Sequence, residues 1–238
     1  MDIIQQNKVS VIMPMYNHWD LSHARLMEFR TYLPSNCEIV LVDDCSTDED
    51  VRSGTAFWQK SSVALHPIKY IRNQQNLGFT KSLNRGYKVS SGDVVIFYSN
   101  DVVMKGNVVQ EVLNAINTSD KKVLVGDRSV YWAAGWNEFE ANGKKVIPYL
   151  EGYFIACKRD VWEELGGWDE RYSPYDYEDM DISLHAFLLG YNLIALQSRL
   201  ITHIGGQTVY TLNPQREETT KRNRIQFIEK WSRELSEL

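Results

Sequence analysis

The sequence predicts an α/β fold in which a mostly parallel, twisted sheet carries helices on both faces. Short runs of β-branched residues alternate with segments of helical periodicity, and turn-forming residues separate them. Strands that are separated by helices pair in parallel, because the chain crosses over the sheet before it forms the next strand. The length of 238 residues suits one such domain, and neither a repeat nor a low-complexity linker divides the chain.

The first half of the chain alternates regularly between strand and helix. Pro14 ends the first apolar run, and Leu21, Leu26 and Phe29 have the spacing of one helical face. The segment Asp43–Asp48 has turn and helix-capping composition, so a second helix is expected after it. The predicted strands are Val9–Met13, Glu38–Val42, Ile68–Ile71 and Asp93–Tyr98. The predicted helices are Leu21–Tyr32, a segment from Asp48 to about Gln59, and a segment from the Asn76–Gly78 loop to Tyr87.

The regular alternation is lost after about residue 125. Glu151–Leu165 returns to a strand and then a helix, and Glu178–Leu189 is an amphipathic helix that Gly190 ends. A last helix is predicted over about Glu217–Glu234. Residues typical of irregular or hairpin structure precede these elements, namely Trp132, Trp136, Asn142, Gly143 and Pro148.

The charge and cysteine content exclude several classes of protein. Lys+Arg 26 and Asp+Glu 31 give a net charge of −5, and a nucleic-acid partner requires a basic surface. Cys37, Cys45 and Cys157 fit neither a disulfide framework nor a zinc site, which favours a reducing compartment. No basic leader and no apolar run of about 18 residues is present. We therefore expect a cytoplasmic protein without a membrane-spanning helix.

Three of the predicted strands end in polar clusters. Tyr16–Asn17, Asp43–Asp44 and Ser99–Asp101 follow the first, second and fourth strands. Turn chemistry explains any one cluster by itself, but the topology brings all three to the carboxyl edge of the sheet, where ligands bind in such folds. Carboxylates there can hydrogen-bond a base or ribose, or hold a divalent cation against phosphate oxygens.

Two further groups of residues are candidates for chemistry. Glu178, Asp179 and Asp181 lie at the start of a predicted helix. There they fit either helix capping, best for Asp181, or a general base whose direction the helix fixes. His203 fits either a structural turn or a nitrogen ligand for manganese. The chain has no glycine-rich dinucleotide fingerprint, no P-loop and no H-E-x-x-H zinc motif.

Six motifs, in the right order, resemble those of family 2 glycosyltransferases. The resemblance covers about Lys8 to Trp231, and the last three motifs together resemble the rhamnosyltransferase-like branch. Cys45 stands where glycine is usual, and Ser99 stands where the first carboxylate of the D-x-D metal motif is usual. The motifs are Val9–Asn17, Val42–Asp48, Asn76–Gly86, Gly166–Glu170, Glu178–Asp181 and His203–Gly206.

The resemblance implies a GT-A (Rossmann-like) fold and a role for each matching residue. Asp179 matches the general base, and Asp101 and His203 would hold Mn²⁺ or Mg²⁺. Asp43 is the preferred contact to the nucleotide base, with Asp44 as the second choice. The nucleotide-binding set is Pro14, Tyr16, Asn17, Asp43, Asp44, Asn76, Gly78, Lys81, Ser99 and Asn100. The residues expected to shape the acceptor side are Tyr153, Trp168 and Glu178. The choice of sugar, nucleotide and acceptor is expected to depend on the pocket around Trp132, Trp136, Tyr153 and Trp168.

The implied reaction is an inverting hexosyl transfer, of the kind used in polysaccharide biosynthesis. A UDP-, dTDP- or GDP-sugar is the expected donor, and a hydroxyl of a glycan or lipid-linked molecule is the expected acceptor. Residues 1–104 would bind the nucleotide, residues 105–215 the acceptor, and residues 216–238 would form a C-terminal helix. Basic residues on that helix allow peripheral membrane contact, but Glu217, Glu218, Glu229 and Glu234 favour packing on the body.

Two other functions are weighed against this one. A nucleotidyltransferase uses a similar sheet but needs a glycine-rich phosphate loop after the first strand, where this chain has Pro14–Asn17. A non-catalytic module that binds a sugar nucleotide or glycan is favoured by Ser99. The complete Glu178–Asp179 pair and His203 argue against such a module.

Overall fold

The computed structural model describes residues 7–60, 65–132, 147–205 and 216–237. Strands and helices alternate as the sequence predicts. The helices are α1 (Trp19–Tyr32), α2 (Glu49–Lys60), α3 (Phe79–Val89), α4 (Val108–Thr118), α5 (Arg159–Leu165), α6 (Glu178–Leu188) and α7 (Arg216–Glu237). The strands are β1 (Val9–Met15), β2 (Cys37–Asp43), β3 (Ile68–Arg72), β4 (Val94–Tyr98), β5 (Val102–Met104), β6 (Val123–Gly126), β7 (Ser129–Trp132), β8 (Ile147–Leu150), β9 (Phe154–Lys158), β10 (Asn192–Ala195) and β11 (Ile201–His203).

A seven-stranded sheet in the order β10-β6-β9-β4-β1-β2-β3 forms the centre of the described structure. The pairs β4-β1, β1-β2, β2-β3 and β10-β6 are parallel, and β9 runs antiparallel to both β4 and β6. Two small antiparallel pairs, β5-β11 and β7-β8, lie outside it. The predicted mostly parallel sheet is confirmed. Because β1, β2 and β4 are parallel neighbours, their carboxyl ends meet at one edge.

Helices cover both faces of the sheet, as expected. On one face α1, α2 and α4 supply buried side chains such as Phe29, Trp58 and Val109. On the other, α3, α5 and α6 supply Leu83, Trp162 and others. All seven residues of β1 and of β2 are buried, which explains why these strands are continuous apolar runs and not alternating ones.

The last helix packs on the body of the protein. Phe227 and Trp231 of α7 are buried in a cluster with Tyr172, Tyr177 and Met180, on and just before α6. The apolar stripe of α7 therefore has a protein partner. Among the described residues, no helix is both long enough and apolar enough to span a membrane.

The structure moves the boundaries of several predicted elements. The first strand continues through Pro14 to Met15. Proline is tolerated there because β1 pairs with β4 only from Val9 to Ile12, so at Pro14 the strand bonds to β2 alone. The last helix is longer than predicted at both ends, and a bend at Trp231 interrupts its regular geometry.

Candidate active site

The turn after β2 is built around Asp43. Its carboxylate is fully buried and accepts hydrogen bonds from the Ser46 amide at 2.7 Å, the Tyr70 hydroxyl at 2.7 Å and the Arg72 guanidinium. Burial alone would raise the pKa of Asp43, but these hydrogen bonds hold it below its ordinary value. Asp43 is therefore an ionised anchor, already bound inside the protein.

Asp44 holds the loop of the Asn76–Gly78 motif. Its carboxylate accepts hydrogen bonds from the amides of Leu77 at 2.7 Å and Gly78 at 2.8 Å, and from Asn73 Nδ2 at 2.7 Å. Gly78 has φ +83°, and a Cβ added there would lie 2.4 Å from the Cα of Pro174. Glycine is thus required both by the backbone angle and by the close approach of a distant loop.

Asn17 joins the first strand-end cluster to the second. Its Oδ1 accepts hydrogen bonds from the amides of Thr47 at 2.8 Å and Asp48 at 3.1 Å, and its own amide donates to Ser46 Oγ at 2.8 Å. Cys45 has φ 65°, a left-handed conformation that explains why glycine is usual at this position. Among the other predicted nucleotide contacts, Pro14 is buried, Tyr16 and Lys81 are half-buried, and Asn76 is exposed.

The third cluster brings Asp101 next to His203. Strand β11 pairs antiparallel with β5, which sets His203 opposite Val102. His203 Nε2 lies 3.4 Å from Asp101 Oδ2, and Ser99 Oγ donates to Asp101 Oδ1 at 2.6 Å. Burial opposes ionisation, but the hydrogen bonds from His203 and Ser99 keep the pKa of Asp101 below its ordinary value.

Asn100 faces helix α1. Its Nδ2 donates to Ser22 Oγ at 3.2 Å, and its carbonyl oxygen accepts a hydrogen bond from Arg25 Nη1 at 3.4 Å. The side chain is buried, so these contacts fix the turn that carries Asp101. A direct contact from Asn100 to the nucleotide stays a prediction.

The donor set at this cluster fits a divalent metal that also binds phosphate. In the described part of the chain, no group of three or more His, Cys, Asp or Glu side chains could enclose a metal ion. Asp101 and His203 provide one carboxylate and one imidazole, with the Ser99 hydroxyl beside them. Mg²⁺ and Mn²⁺ often take one or two protein ligands and complete their shell with substrate phosphates and water. The imidazole nitrogen favours Mn²⁺ over Mg²⁺.

Tyr153 lies beneath this pair of residues. Its ring stacks on the His203 ring with centroids 4.0 Å apart and an angle of 23° between planes. Its hydroxyl donates to Asp127 Oδ2 at 2.8 Å, and its carbonyl oxygen accepts from the Ser99 amide at 2.9 Å. The sequence placed Tyr153 on the acceptor side, whereas its described contacts are to His203, Ser99 and Asp127, and an acceptor role stays a prediction.

Asp179 occupies the first turn of α6 and is partly exposed. Its Oδ2 accepts a hydrogen bond from the Gly152 amide at 3.0 Å, and its Oδ1 accepts from the Met180 amide at 2.9 Å. Burial raises the pKa of Asp179 to about 6 despite these hydrogen bonds. A carboxylate of this kind is ionised at neutral pH and basic enough to accept a proton.

Glu178 differs from its neighbour in being buried with a pKa well above the ordinary value, because of burial and the adjacent Asp179 charge. Its Oε2 has no hydrogen-bond partner among the residues that the structure describes. Burial and the adjacent Asp179 charge therefore both oppose ionisation of Glu178.

Trp168 lies in the core. It is 2% exposed and packs edge-on against Phe97 and Trp162. Its amide and carbonyl both bond to the side chain of Asn84, at 3.1 and 2.8 Å, so the Asn76–Gly86 and Gly166–Glu170 motifs are tied together. The Trp168 ring has almost no exposed surface for an acceptor, and its contact with an acceptor stays a prediction.

Several residues of the predicted irregular segment and of the last motif lie outside the described residues. These are Trp136, Asn142, Gly143 and the last glycine of the His203–Gly206 motif, while Trp132 is described only as the end of β7.

Sequence reasoning missed Asn223, a fully buried side chain of α7. Its carboxamide donates to the carbonyl oxygens of Tyr172, Tyr175 and Asp176, just before α6. The sequence does contain an indication of this role, because Asn223 precedes Phe227 by four residues and so lies on the apolar stripe of the helix. An asparagine on such a stripe needs buried hydrogen-bond partners.

Comparison with known proteins identifies the family of the chain. Residues 10–166 match the family Glycosyl transferase family 2, and the chain belongs to that family. It is 33% identical over 127 residues to a dolichol-phosphate mannosyltransferase of Pyrococcus furiosus, a match that covers 52% of this chain and 34% of that protein.

Two solved structures show the fold. A structure of GalNAc-T7 with UDP, GalNAc and Mn²⁺ matches 97% of this chain and 49% of that one, with a TM-score of 0.72 and 19% identity. The mannosyltransferase PcManGT of Pyrobaculum calidifontis, in complex with GDP-Man and Mn²⁺, matches 79% of this chain and 54% of that one, with a TM-score of 0.59 and 20% identity. The chain thus has the GT-A fold and spans about a third to a half of the length of these proteins.

Proposed function

We propose that this chain is an inverting glycosyltransferase that moves a hexosyl group from a nucleoside-diphosphate sugar to a hydroxyl of a glycan or lipid-linked acceptor. The observation that carries the proposal is Asp179, a partly exposed carboxylate with a raised pKa, oriented by the Gly152 amide at the start of α6. Membership of a glycosyltransferase family supports it. The rhamnosyltransferase-like branch and a role in polysaccharide biosynthesis stay predictions.

The donor nucleotide binds, in this proposal, at the interlocked turns that follow β1 and β2. The hydrogen bonds of Asn17 to the Asp43–Asp48 turn, and of Asp44 to the loop at Gly78, form this surface before a ligand arrives. Asp43 is fully enclosed and bound to Arg72, whereas Asp44 retains 5% exposure. Asp44 is also buried and accepts three hydrogen bonds, so Asp43 and Asp44 both stay candidates for the base contact.

Asp101 and His203 would hold the divalent cation beside the donor diphosphate. When bound, the cation supplies positive charge that stabilises the leaving diphosphate. The protein's own contribution is to keep Asp101 ionised, through Ser99 and His203, and to hold the His203 ring on Tyr153. Neighbours of the same fold that contain Mn²⁺ with a nucleotide or a sugar nucleotide support this assignment.

Asp179 would remove the proton from the acceptor hydroxyl as that oxygen attacks C1 of the sugar. A single displacement from the opposite face inverts the anomeric centre, and its transition state has oxocarbenium character. Burial and the Asp179 charge oppose ionisation of Glu178, which favours Asp179 as the proton acceptor. The Gly152 amide fixes the direction of the carboxylate without taking its proton-accepting capacity.

Donor hydrolysis tests the proposal without knowledge of the acceptor. UDP-N-acetylgalactosamine, UDP-glucose, dTDP-rhamnose and GDP-mannose are incubated with the protein and Mn²⁺, and nucleoside diphosphate release is measured. We expect slow release with one donor class, loss of release with EDTA, and a decrease of about 10²–10⁴-fold in Asp179→Asn. Asp160→Asn is the matched control, because Asp160 also lies in the first turn of a helix and accepts from the following amide.

A non-catalytic module that binds a sugar nucleotide is the second candidate, and Ser99 in place of a metal-binding carboxylate favours it. The same experiment separates the two. Donor binding without any release that depends on Asp179 would support the module and exclude the transferase.

A further inference from the structure

The loop that leads into Asp179 is held by the C-terminal helix. Asn223 Nδ2 donates hydrogen bonds to the carbonyl oxygens of Tyr172 at 2.8 Å, Tyr175 at 2.7 Å and Asp176 at 3.0 Å. Asn223 is fully buried, so its two amide protons are used entirely for this loop. One side chain of α7 therefore binds three carbonyl oxygens of the segment Tyr172–Asp176, directly before α6.

Neighbouring residues of α7 complete the attachment. Arg222 donates to the carbonyl oxygen of Ser173 at 2.6 Å and to Asn223 Oδ1 at 3.0 and 3.1 Å, which fixes the orientation of the carboxamide. Thr220 Oγ1 donates to the carboxylate of Asp176 at 2.5 Å. The segment Ser173–Asp176 is thus bound through both its backbone and its acidic side chain.

The backbone of this loop needs external support. Asp176 has φ 70° and Tyr177 has φ 78°, and both are left-handed conformations at residues other than glycine. Two such residues in succession persist only where the surroundings determine them. Because Tyr177 is followed at once by Glu178 and Asp179, the conformation of the loop sets where α6 begins and where the Asp179 carboxylate lies.

The same loop touches the donor side of the domain. Ser173 Oγ donates to the carbonyl oxygen of Leu77 at 2.6 Å, and the Phe79 amide donates to the carbonyl oxygen of Pro174 at 2.8 Å. The loop that Asn223 holds is therefore the piece of chain that lies between the Asn76–Gly78 motif and Asp179.

We propose that Asn223 is a positioning residue for Asp179, acting through the Ser173–Tyr177 loop. This inference rests on the proposed role of Asp179 as the base. Asn223 does not touch the reacting atoms. Its carboxamide holds the loop so that the carboxylate stays partly buried and aligned with the Gly152 amide. A residue that only anchored α7 would affect stability but not the environment of Asp179.

The test compares Asn223→Leu with Trp231→Phe in the full chain. Leucine keeps the branching and the number of side-chain heavy atoms of asparagine but removes both donors from the loop carbonyls. Trp231→Phe removes a different anchor of α7, the bond to Asp181, two residues beyond Asp179. Asn223→Ser, which is smaller and lets water reach the carbonyls, serves if the leucine variant does not fold. Hydrogen–deuterium exchange and thermal melting report on all variants without a substrate.

For the Asn223 variants we expect the hydrogen-bonded amides of Gly152, Met180 and Asp181 to exchange about tenfold faster, or more. In Trp231→Phe the amides of Gly152 and Met180 should exchange at the wild-type rate, even where the melting temperature falls equally. In donor hydrolysis by the folded Asn223 variants, the acid limb of the pH–rate profile should move to lower pH. Water that enters around Asp179 returns its pKa towards the ordinary value.

Wild-type exchange at these amides in the Asn223 variants, or equal acceleration in Trp231→Phe, would overturn the inference. So would wild-type turnover per folded molecule with an unchanged pH profile. If the proposed function is wrong, Asp179→Asn will hydrolyse donor at the wild-type rate. The exchange data would still show whether Asn223 holds the loop before α6.

Discussion

The indole nitrogen of Trp231 donates a 2.7 Å hydrogen bond to Asp181 Oδ1, a residue 50 positions earlier in the chain. The same carboxylate accepts the Tyr172 hydroxyl at 3.0 Å and the Lys230 ammonium at 2.7 Å. Asp181 is 3% exposed, so a buried negative charge is satisfied entirely by hydrogen-bond donors from α7 and from the turn before α6. The end of the chain is therefore attached to the helix that carries Asp179.

Removing this attachment should lower the free energy of unfolding. Trp231→Phe loses one hydrogen bond to a charged group, and we expect a decrease of about 2 kcal/mol. Asp181→Asn loses the ion pair with Lys230 as well, and a decrease of about 3 kcal/mol is expected. Urea denaturation of both single variants and the double variant measures the coupling between the two side chains.

The double variant should be less destabilised than the sum of the single variants by about 1 kcal/mol, because the two residues share one contact. Exactly additive losses would show that Trp231 and Asp181 contribute independently. Arg233→Ala is the control on α7, because Arg233 is exposed and pairs only locally with Glu237 in the described contacts.

Asp181 shows what the sequence could predict and what it could not. Its place in the first turn of a helix was predicted, since helix starts depend on residues close in the chain. Its partners were not predicted, because Tyr172, Lys230 and Trp231 reach it through the tertiary fold. Helix capping accounts for a first-turn carboxylate equally well, so the sequence by itself offered no reason to look for a buried ion pair.

The same distinction holds for the sheet and the site. Strands β1 to β4 were predicted because each is a short apolar run next to a helix in sequence. The reversed direction of β9 was not predicted, since pairing direction depends on the path of the chain between β4 and β9. Asp101 and His203 were grouped by family resemblance, and their 3.4 Å contact arises from the β5–β11 pair.

The raised pKa of Asp179 has consequences for both stability and activity. A folded-state pKa of about 6, above the unfolded value, means that burial of this carboxyl is tolerated at low pH and becomes costly as pH rises through 6. Asp179→Asn removes that cost. We expect the variant to be more stable than wild type by about 1–3 kcal/mol at neutral pH, with the gain disappearing towards pH 4.

Thermal melting from pH 4 to pH 8 measures this difference, and donor hydrolysis by the wild type over the same range should fall as pH decreases through about 6. Asp160→Asn, at an exposed first-turn carboxylate, should show no such stabilisation. An Asp179→Asn variant that is less stable than wild type at neutral pH would contradict the buried-carboxylate account.

Gly78 should be sensitive to a single added methyl group. In Gly78→Ala the new Cβ would lie 2.4 Å from the Cα of Pro174, which is backbone and cannot move aside cheaply. We expect a loss of about 3 kcal/mol and weaker binding of UDP or GDP, because the loop held by Asp44 must shift. Gly190→Ala is the matched control, with a similar φ of +77° but no atom within 4 Å of the added Cβ.

The control isolates the steric contact from the backbone conformation. Gly190→Ala should cost about 1 kcal/mol, from the left-handed conformation alone, and should leave nucleotide binding unchanged. Equal losses in the two variants, measured by urea denaturation and by isothermal titration with UDP and GDP, would show that the contact with Pro174 is unimportant.

Tyr153 should control the affinity for Mn²⁺ through its ring and not through its hydroxyl. The ring stacks on His203, while the hydroxyl bonds to Asp127 on the far side. The carbonyl that binds the Ser99 amide remains in every substitution, so comparing Tyr153→Leu with Tyr153→Phe separates the ring from the hydroxyl. Tyr153→Leu should weaken Mn²⁺ binding in the presence of UDP by about tenfold, since supports of metal ligands typically contribute 10–100-fold.

Tyr153→Phe keeps the ring and should bind Mn²⁺ within about threefold of wild type, although loss of the bond to Asp127 lowers stability by about 1 kcal/mol. Mn²⁺ titration followed by electron paramagnetic resonance measures the affinity, and His203→Gln gives the value expected when the imidazole is absent. If Tyr153→Leu binds Mn²⁺ as wild type does while His203→Gln does not, His203 needs no support from the ring. If all three variants bind as wild type does, His203 is not a ligand and Asp101 alone holds the metal with the diphosphate.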